Sequence, residues 1–81
     1  MTGEVELTGL IQAITLPAVG AHPRYRVQVD SDRGSVELVF VGYRSLPGFR
    51  VGREVTARAT IVPGVHPMMY NPIYWLKAET A

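Results

Sequence analysis

Residues 24–41 read RYRVQVDSDRGSVELVFV, which is two alternating runs joined by a short polar turn. Apolar and polar residues take turns along each run, as they do in a strand with one buried face. The inward-facing set is Tyr25, Val27, Val29, Val36, Leu38 and Phe40. Ser31 to Gly34 has the composition of a tight turn, so this stretch predicts an antiparallel hairpin.

The rest of the chain continues in short β-rich runs, and it lacks the spacing of apolar residues that marks a helix. With 81 residues it makes one small domain, residues 1–81. The runs are separated by segments rich in Gly and Pro, which favour turns. We predict an all-β protein with five strands: Glu4–Leu16, Arg24–Asp30, Ser35–Val41, Arg53–Val62 and Met69–Ala78.

The long first strand changes parity partway along. Its apolar positions are odd-numbered across Val5–Ile11 and even-numbered at Ile14 and Leu16. One extra residue near Gln12-Ala13 would restore the alternation, which is what a β-bulge does. A first strand that bends in this way can serve both halves of a small barrel, and closure removes exposed sheet edges.

Two closed architectures fit this pattern, the five-stranded OB barrel and an SH3-like barrel. The long bulged first strand, the tight hairpin and the separate segment between strands three and four favour the OB barrel. The Gly42–Gly52 segment is too short for more than one helical turn, so we expect little or no helix there and Phe49 as the plug of the barrel end. Pro72 cannot donate to a ladder, which predicts a bulge or an unpaired edge.

Charge and composition narrow the classes of function. Eight basic residues, seven of them Arg, face seven acidic ones, a formal net charge of +1. This balance excludes a strongly basic, histone-like nucleic-acid binder but leaves room for a local basic patch. The chain has no cysteine, no Gly-rich phosphate loop, no nucleophile–base arrangement and no acidic cluster, so we predict neither enzymatic activity nor a cofactor.

The sequence also bears on location. No apolar run approaches the roughly 18 residues that a membrane span needs. The N-terminus lacks the basic and apolar pattern of a signal peptide, so we expect a cytoplasmic protein without a membrane partner.

Four motifs occur in a characteristic order: GSVELVF at 34–40, LPGF at 46–49, VGREV at 51–55 and NPIY at 71–74. Their order and spacing resemble the helicase/anticodon-type OB-fold family, which includes the wedge domain of the RecG helicase and the anticodon-binding domain of class II aminoacyl-tRNA synthetases. The chain looks most similar to short stand-alone actinobacterial OB-fold proteins. The resemblance covers essentially the whole chain and implies nucleic-acid binding. Anticodon-binding relatives carry stacking rings where this chain has Arg26 and Val39, which favours weak, backbone-led binding.

The expected binding face is the outer surface of strands two and three. Its predicted residues are Arg24, Arg26, Gln28, Glu37 and Val39, extended by Tyr43 and Arg44 at the rim and by His22 and His66 in the two His-Pro loops. Arg24 and Arg26 lie two apart and project the same way, which suits phosphate contact or stacking on an unpaired base. The alternative is a solvated strand face on which these arginines pair with Glu37. A basic stripe through Arg44, Arg50, Arg53 and Arg58 would extend the face, with scattered solubilising charge as the alternative.

A second candidate surface lies on the fifth strand. If Tyr74 and Leu76 point inward, Ile73 and Trp75 point outward, and Met68 could join them as an interface residue. Trp75 could be a stacking platform, a partner surface or an intramolecular lid, and a one-residue slip at Pro72 would turn it inward. His66, Met68, Met69 and Tyr70 are expected to form an adaptable loop tip. The two histidines lack a third ligand, so we predict no metal site.

The sequence therefore predicts a non-catalytic OB-fold module that binds single-stranded DNA or RNA weakly. The alternative function is a protein–protein interaction module, with a homodimer formed through the outward surface of the fifth strand. A third hypothesis is a barrel that binds a peptide or a sugar.

Overall fold

The computed structural model describes residues 3–20 and 22–78. Those residues form no helix, and their seven strands make one curled, mixed sheet in the shape of a half-barrel. The strands are β1 (Val5–Thr15), β2 (Arg24–Ser31), β3 (Gly34–Val41), β4 (Glu54–Ala59), β5 (Ile61–Val62), β6 (Met68–Tyr70) and β7 (Ile73–Leu76). Their order in the sheet is β5-β6-β3-β2-β1-β4-β7, with β3 and β6 parallel and the other neighbours antiparallel.

The all-β prediction is confirmed, but the count of five strands is wrong. The predicted fourth strand is divided at Thr60, because β4 pairs with β1 and β7 whereas β5 pairs with β6. The predicted fifth strand is divided at Asn71 and Pro72, where the chain leaves β6 and enters β7. Each break marks a change of partner as the sheet curls.

Asn71 stabilises the second break. Its backbone has a positive φ of 47°, a conformation that Asn tolerates better than most residues. Its side-chain Oδ1 accepts a hydrogen bond from the Val41 N–H at 2.8 Å, and its own N–H donates to the Val39 carbonyl at 2.8 Å. The side chain thus replaces a ladder bond at the point where Pro72 has no N–H to give.

The bulge in the first strand is confirmed. Ile11 pairs with Val29 and Ala13 pairs with Gln28, so the register skips Gln12. The inserted residue lets both Ile11 and Ile14 pack into the core despite their opposite parity.

Phe49 lies in the core at the end of the barrel-like sheet, as the sequence predicts. Its ring makes edge-on contacts with Tyr25, Phe40 and Tyr74, at centroid distances of 5.9, 5.6 and 4.9 Å. The segment that carries Phe49 contains no helix among the residues described, so Phe49, with the partly buried Leu46, covers the core there. Burial raises the pKa of the Tyr25 hydroxyl, because the ionised form would lose its hydration.

Gly9 allows β1 to lie between two neighbours. It pairs with Ser31 on β2 and with Val55 on β4. A Cβ at this position would clash with the backbone of Asp30 and Ser31. The sequence therefore places glycine where the curled sheet brings two backbones close together.

Candidate nucleic-acid interface

The outer face of β2, β3 and β6 presents two rows of side chains. Residues opposite one another in a sheet share a face, so the register places Arg26, Val39 and Tyr70 in one row. The next row contains Gln28, Glu37 and Met68. Between the rows Leu38 is paired with Met69, and both are fully buried, which confirms that the two rows point away from the core.

A groove of about 380 Å³, here called the central groove, lies between this face and the loop of residues 63–67. It is lined by Arg26, Gln28, Ser35, Glu37, Val65, His66, Pro67 and Met68. The structure therefore brings together four predicted binding residues, which are Arg26, Gln28, Glu37 and His66. It also places Met68 here, although Met68 was predicted to belong with Ile73 and Trp75.

The polar side chains of the central groove already contact one another. The Arg26 Nη2 atom lies 3.4 Å from Glu37 Oε1, and the Arg26 side chain stays 48% exposed. Gln28 Nε2 donates a hydrogen bond to Ser35 Oγ. An exposed ion pair of this kind contributes little to stability, about 0 to 1 kcal/mol. Arg26 can therefore exchange Glu37 for a ligand phosphate at small cost.

The remaining predicted binding residues lie outside the central groove. Arg24 is exposed one row further along β2, opposite Val41. Tyr43 makes an edge-on contact with Phe40 at 6.4 Å and lines a separate rim groove of about 450 Å³. Arg44 and His22 are exposed in the loops that follow β3 and precede β2. These four residues surround the face without forming one pocket.

Val39 does not present the exposed contact that was predicted. Its side chain is only 2% exposed, although it lies outside the core cluster. The register sets it between Arg26 and Tyr70 on the neighbouring strands, and this third neighbour on β6 is why the position is covered. In the row of Arg26, Val39 and Tyr70, the apolar side chain that is exposed is that of Tyr70, which is 42% exposed.

Tyr70 lies in β6, within the predicted fifth strand Met69–Ala78 and not in the loop tip to which the sequence also assigned it. Met69 is buried, and the residues on either side of it share the outer face. The alternation of Met68 and Tyr70 around a buried Met69 was the available signal. What the alternation did not show was that β6 pairs in parallel with β3 and so extends the binding face.

The predicted basic stripe is interrupted. The Arg53 guanidinium donates from Nη1 to the Gly48 carbonyl at 2.9 Å and from Nε and Nη2 to the Lys77 carbonyl at 3.2 Å. Arg53 therefore ties the loop before β4 to the chain after β7. Arg58 lies on a different part of the surface, beside Trp75.

Ile73 and Trp75 point outward, as predicted from their parity, with exposures of 52% and 49%. Tyr74 and Leu76 pack against the core, so no slip occurs at Pro72. The Arg58 guanidinium lies over the indole of Trp75, 5.6 Å from the ring centroid, and covers part of it.

A third cavity, here called the lateral groove, has a volume of about 510 Å³. It is lined by Glu4, Arg58, Ala59, Thr60, Val62, Tyr70, Asn71 and Ile73. Within residues 3–20 and 22–78, no three His, Cys, Asp or Glu side chains come together as metal ligands. The same residues include no long apolar helix of the kind that crosses a membrane.

No protein-family model matches this chain, and no curated protein matches it in sequence.

Proposed function

We propose that this chain is a non-catalytic OB-type module that binds single-stranded nucleic acid weakly, with the strand lying over the central groove. The proposal rests on the position of that groove. OB folds bind oligonucleotides on the face of their second and third strands, beside the loops that join strands one to two and four to five. The central groove lies on β2 and β3 and against the loop of residues 63–67.

The strand pairings support an OB architecture. Each of β4–β5 and β6–β7 is one predicted strand broken in the middle. We count β1, β2 and β3 as strands one to three, β4–β5 as strand four and β6–β7 as strand five. Strand one then pairs with strand two, two with three, three with five, five with four, and four with one. This sequence of neighbours closes on itself, which is the arrangement of a five-stranded barrel.

The chemistry of the central groove fits a single strand. Arg26 offers a planar guanidinium for a phosphate or the face of a base. Gln28 offers an amide group that can bind base edges, and His66, in the loop of residues 63–67, forms the opposite wall. Weak binding is expected because Arg26 is the one arginine among the described residues that line this groove, and Glu37 partly neutralises it.

The first experiment is a titration of fluorescently labelled single-stranded and duplex oligonucleotides at low salt, followed by anisotropy. We expect micromolar binding of the single strand, with a log–log salt slope of about −0.7 for each phosphate contacted. Arg24→Ala combined with Arg26→Ala should abolish binding without unfolding the chain. Lys77→Ala is the control, because this exposed cation lies beside Glu54 and away from the groove.

Two outcomes would count against the proposal. One is no detectable complex at high micromolar protein for any oligonucleotide. The other is unchanged affinity in the double arginine variant, which would move the site away from β2.

The second candidate function is a protein-interaction module, favoured by the exposed Ile73 and Trp75 side chains. Light scattering over a range of concentrations tests whether the chain forms a homodimer through them. A monomer at all concentrations whose mass is unchanged by Trp75→Ala would argue against this function.

A further inference from the structure

The central and lateral grooves share a wall. Met68 lines the central groove and Tyr70 lines the lateral groove. The two side chains touch, since the Tyr70 hydroxyl donates to Met68 Sδ at 3.8 Å. Val62, on β5, is paired with Met68 on β6 and also lines the lateral groove. The central groove and the lateral groove therefore adjoin one another at the contact between Met68 and Tyr70.

The far end of this path contains an aromatic ring and an arginine in contact. Arg58 lines the lateral groove and lies over the ring of Trp75. Tyr70 lines the same groove as Arg58, and Tyr70 and Trp75 are both about half exposed. Stacking rings interleaved with arginine are the side chains on which proteins hold unpaired bases and their phosphates.

Two exposed glutamates lie near Arg58: Glu6 is opposite it on β1, and Glu4 is close to its guanidinium. The Arg58 Nε atom is buried and donates no hydrogen bond to any residue that the structure describes. The nearest carboxylate is that of Glu4, with Oε1 3.6 Å from Nε, and the Glu4 side chain is 61% exposed. An exposed pair at this distance is weak and readily exchanged. A phosphate could take the place of Glu4 beside Arg58.

We propose that the lateral groove is a second binding segment for the same single strand, which passes from Arg26 over Tyr70 to Arg58 and Trp75. This inference rests on the proposed function and names a longer path for the ligand. Nucleic acid is the occupant favoured over a second copy of the chain, because the contact between Tyr70 and Met68 joins the lateral groove to the central groove.

The test compares oligothymidylates of four and twelve nucleotides, which lie within the range of about 4–16 nucleotides that one OB fold occupies. The twelve-nucleotide strand should bind more tightly. Tyr70→Ala and Trp75→Ala should each weaken it about five-fold or more, the loss expected for one stacked base. The four-nucleotide strand should depend on Arg26 and be unaffected by Trp75→Ala.

Trp75 is the chain's one tryptophan and contacts Arg58, which lines the lateral groove, so its fluorescence reports on a ligand bound at Arg58 without any substitution. The twelve-nucleotide strand should quench its fluorescence, and the four-nucleotide strand should leave it unchanged. Trp75→Phe keeps a ring and should retain most of the affinity for the longer strand. Val51→Ala, an exposed apolar residue outside both grooves, is the matched control.

The possible failures are distinguishable. Binding of both strands with no quenching and no loss in Tyr70→Ala or Trp75→Ala would overturn the longer path and leave the central groove in place. Equal losses of affinity for the short and long strands in Trp75→Ala would also overturn it, because the substitution would then act on the fold. If neither strand binds the unmodified protein, the proposed function itself fails.

Discussion

Phe49 packs edge-on against Tyr74, with ring centroids 4.9 Å apart and ring planes inclined by 65°. This contact joins the loop that follows β3 to strand β7, which otherwise pairs only with β4 among the described strands. Phe40 and Tyr25 complete the cluster from β3 and β2. The Phe49 ring therefore joins its own loop to three strands, β2, β3 and β7.

Removing that ring should destabilise the fold strongly. We expect Phe49→Ala to lower the free energy of unfolding by about 3–5 kcal/mol, the usual cost of deleting a buried phenyl group. Urea denaturation followed by circular dichroism measures the change. Val51→Ala, two residues away and exposed, should change it by less than about 0.5 kcal/mol. Equal effects of the two substitutions would show that Phe49 does not close the core.

Gly9 should tolerate no side chain. Gly9→Ala forces a methyl group against the backbone of Asp30 and Ser31, and we expect a loss of about 1–3 kcal/mol or more. Gly3→Ala is the matched control, because in the described part of the chain a Cβ there meets no atom within 4 Å. Thermal melting of both variants checks the prediction, and an unchanged melting temperature for Gly9→Ala would refute it.

Glu37 should oppose nucleic-acid binding. Glu37→Gln removes the charge that pairs with Arg26, so Arg26 becomes available to a phosphate. We expect the affinity for a short single strand to rise by about two- to five-fold, in line with the small energy of an exposed ion pair. Glu54→Gln is the control, since Glu54 pairs with Lys77 instead. Weaker binding by Glu37→Gln would mean that Glu37 itself contacts the ligand.

Asn71 should matter for both its side chain and its backbone. Asn71→Ala loses the hydrogen bond to the Val41 N–H and must hold an unfavourable positive φ. We expect a loss of about 2–3 kcal/mol, from one hydrogen bond and one left-handed residue. Asn71→Gly loses the bond but accepts the backbone angle, so it should be the milder change. Chemical denaturation ranks the two, and the reverse order would argue against a role for the backbone angle.

Much of the fold follows from alternation along single strands. The change of parity between Ile11 and Ile14 located the bulge, and the parity of Tyr74 located the outward Trp75. These features depend on which way a side chain points, and the two-residue period of a strand fixes that direction.

The misassigned positions depend on which strands become neighbours. Val39 was assigned to the correct face, but its burial results from β6, whose parallel pairing with β3 leaves no local pattern. Tyr70 was assigned to a loop tip, and its place beside Val39 on the candidate face was not predicted, for the same reason. Arg53 looked like one more surface cation, and only the folded chain brings the carbonyls of Gly48 and Lys77 to its guanidinium.

The position of β1 between β2 and β4 has a consequence for how the chain folds. The β2–β3 hairpin can form within about 1–10 μs, but Gly9, which pairs with Ser31 on β2, must wait for Val55 before its other edge is paired. Folds dominated by such distant pairings take milliseconds to seconds. During synthesis β1 therefore leaves the ribosome long before its second partner, and its bare edge is the place where a nascent chain would first aggregate.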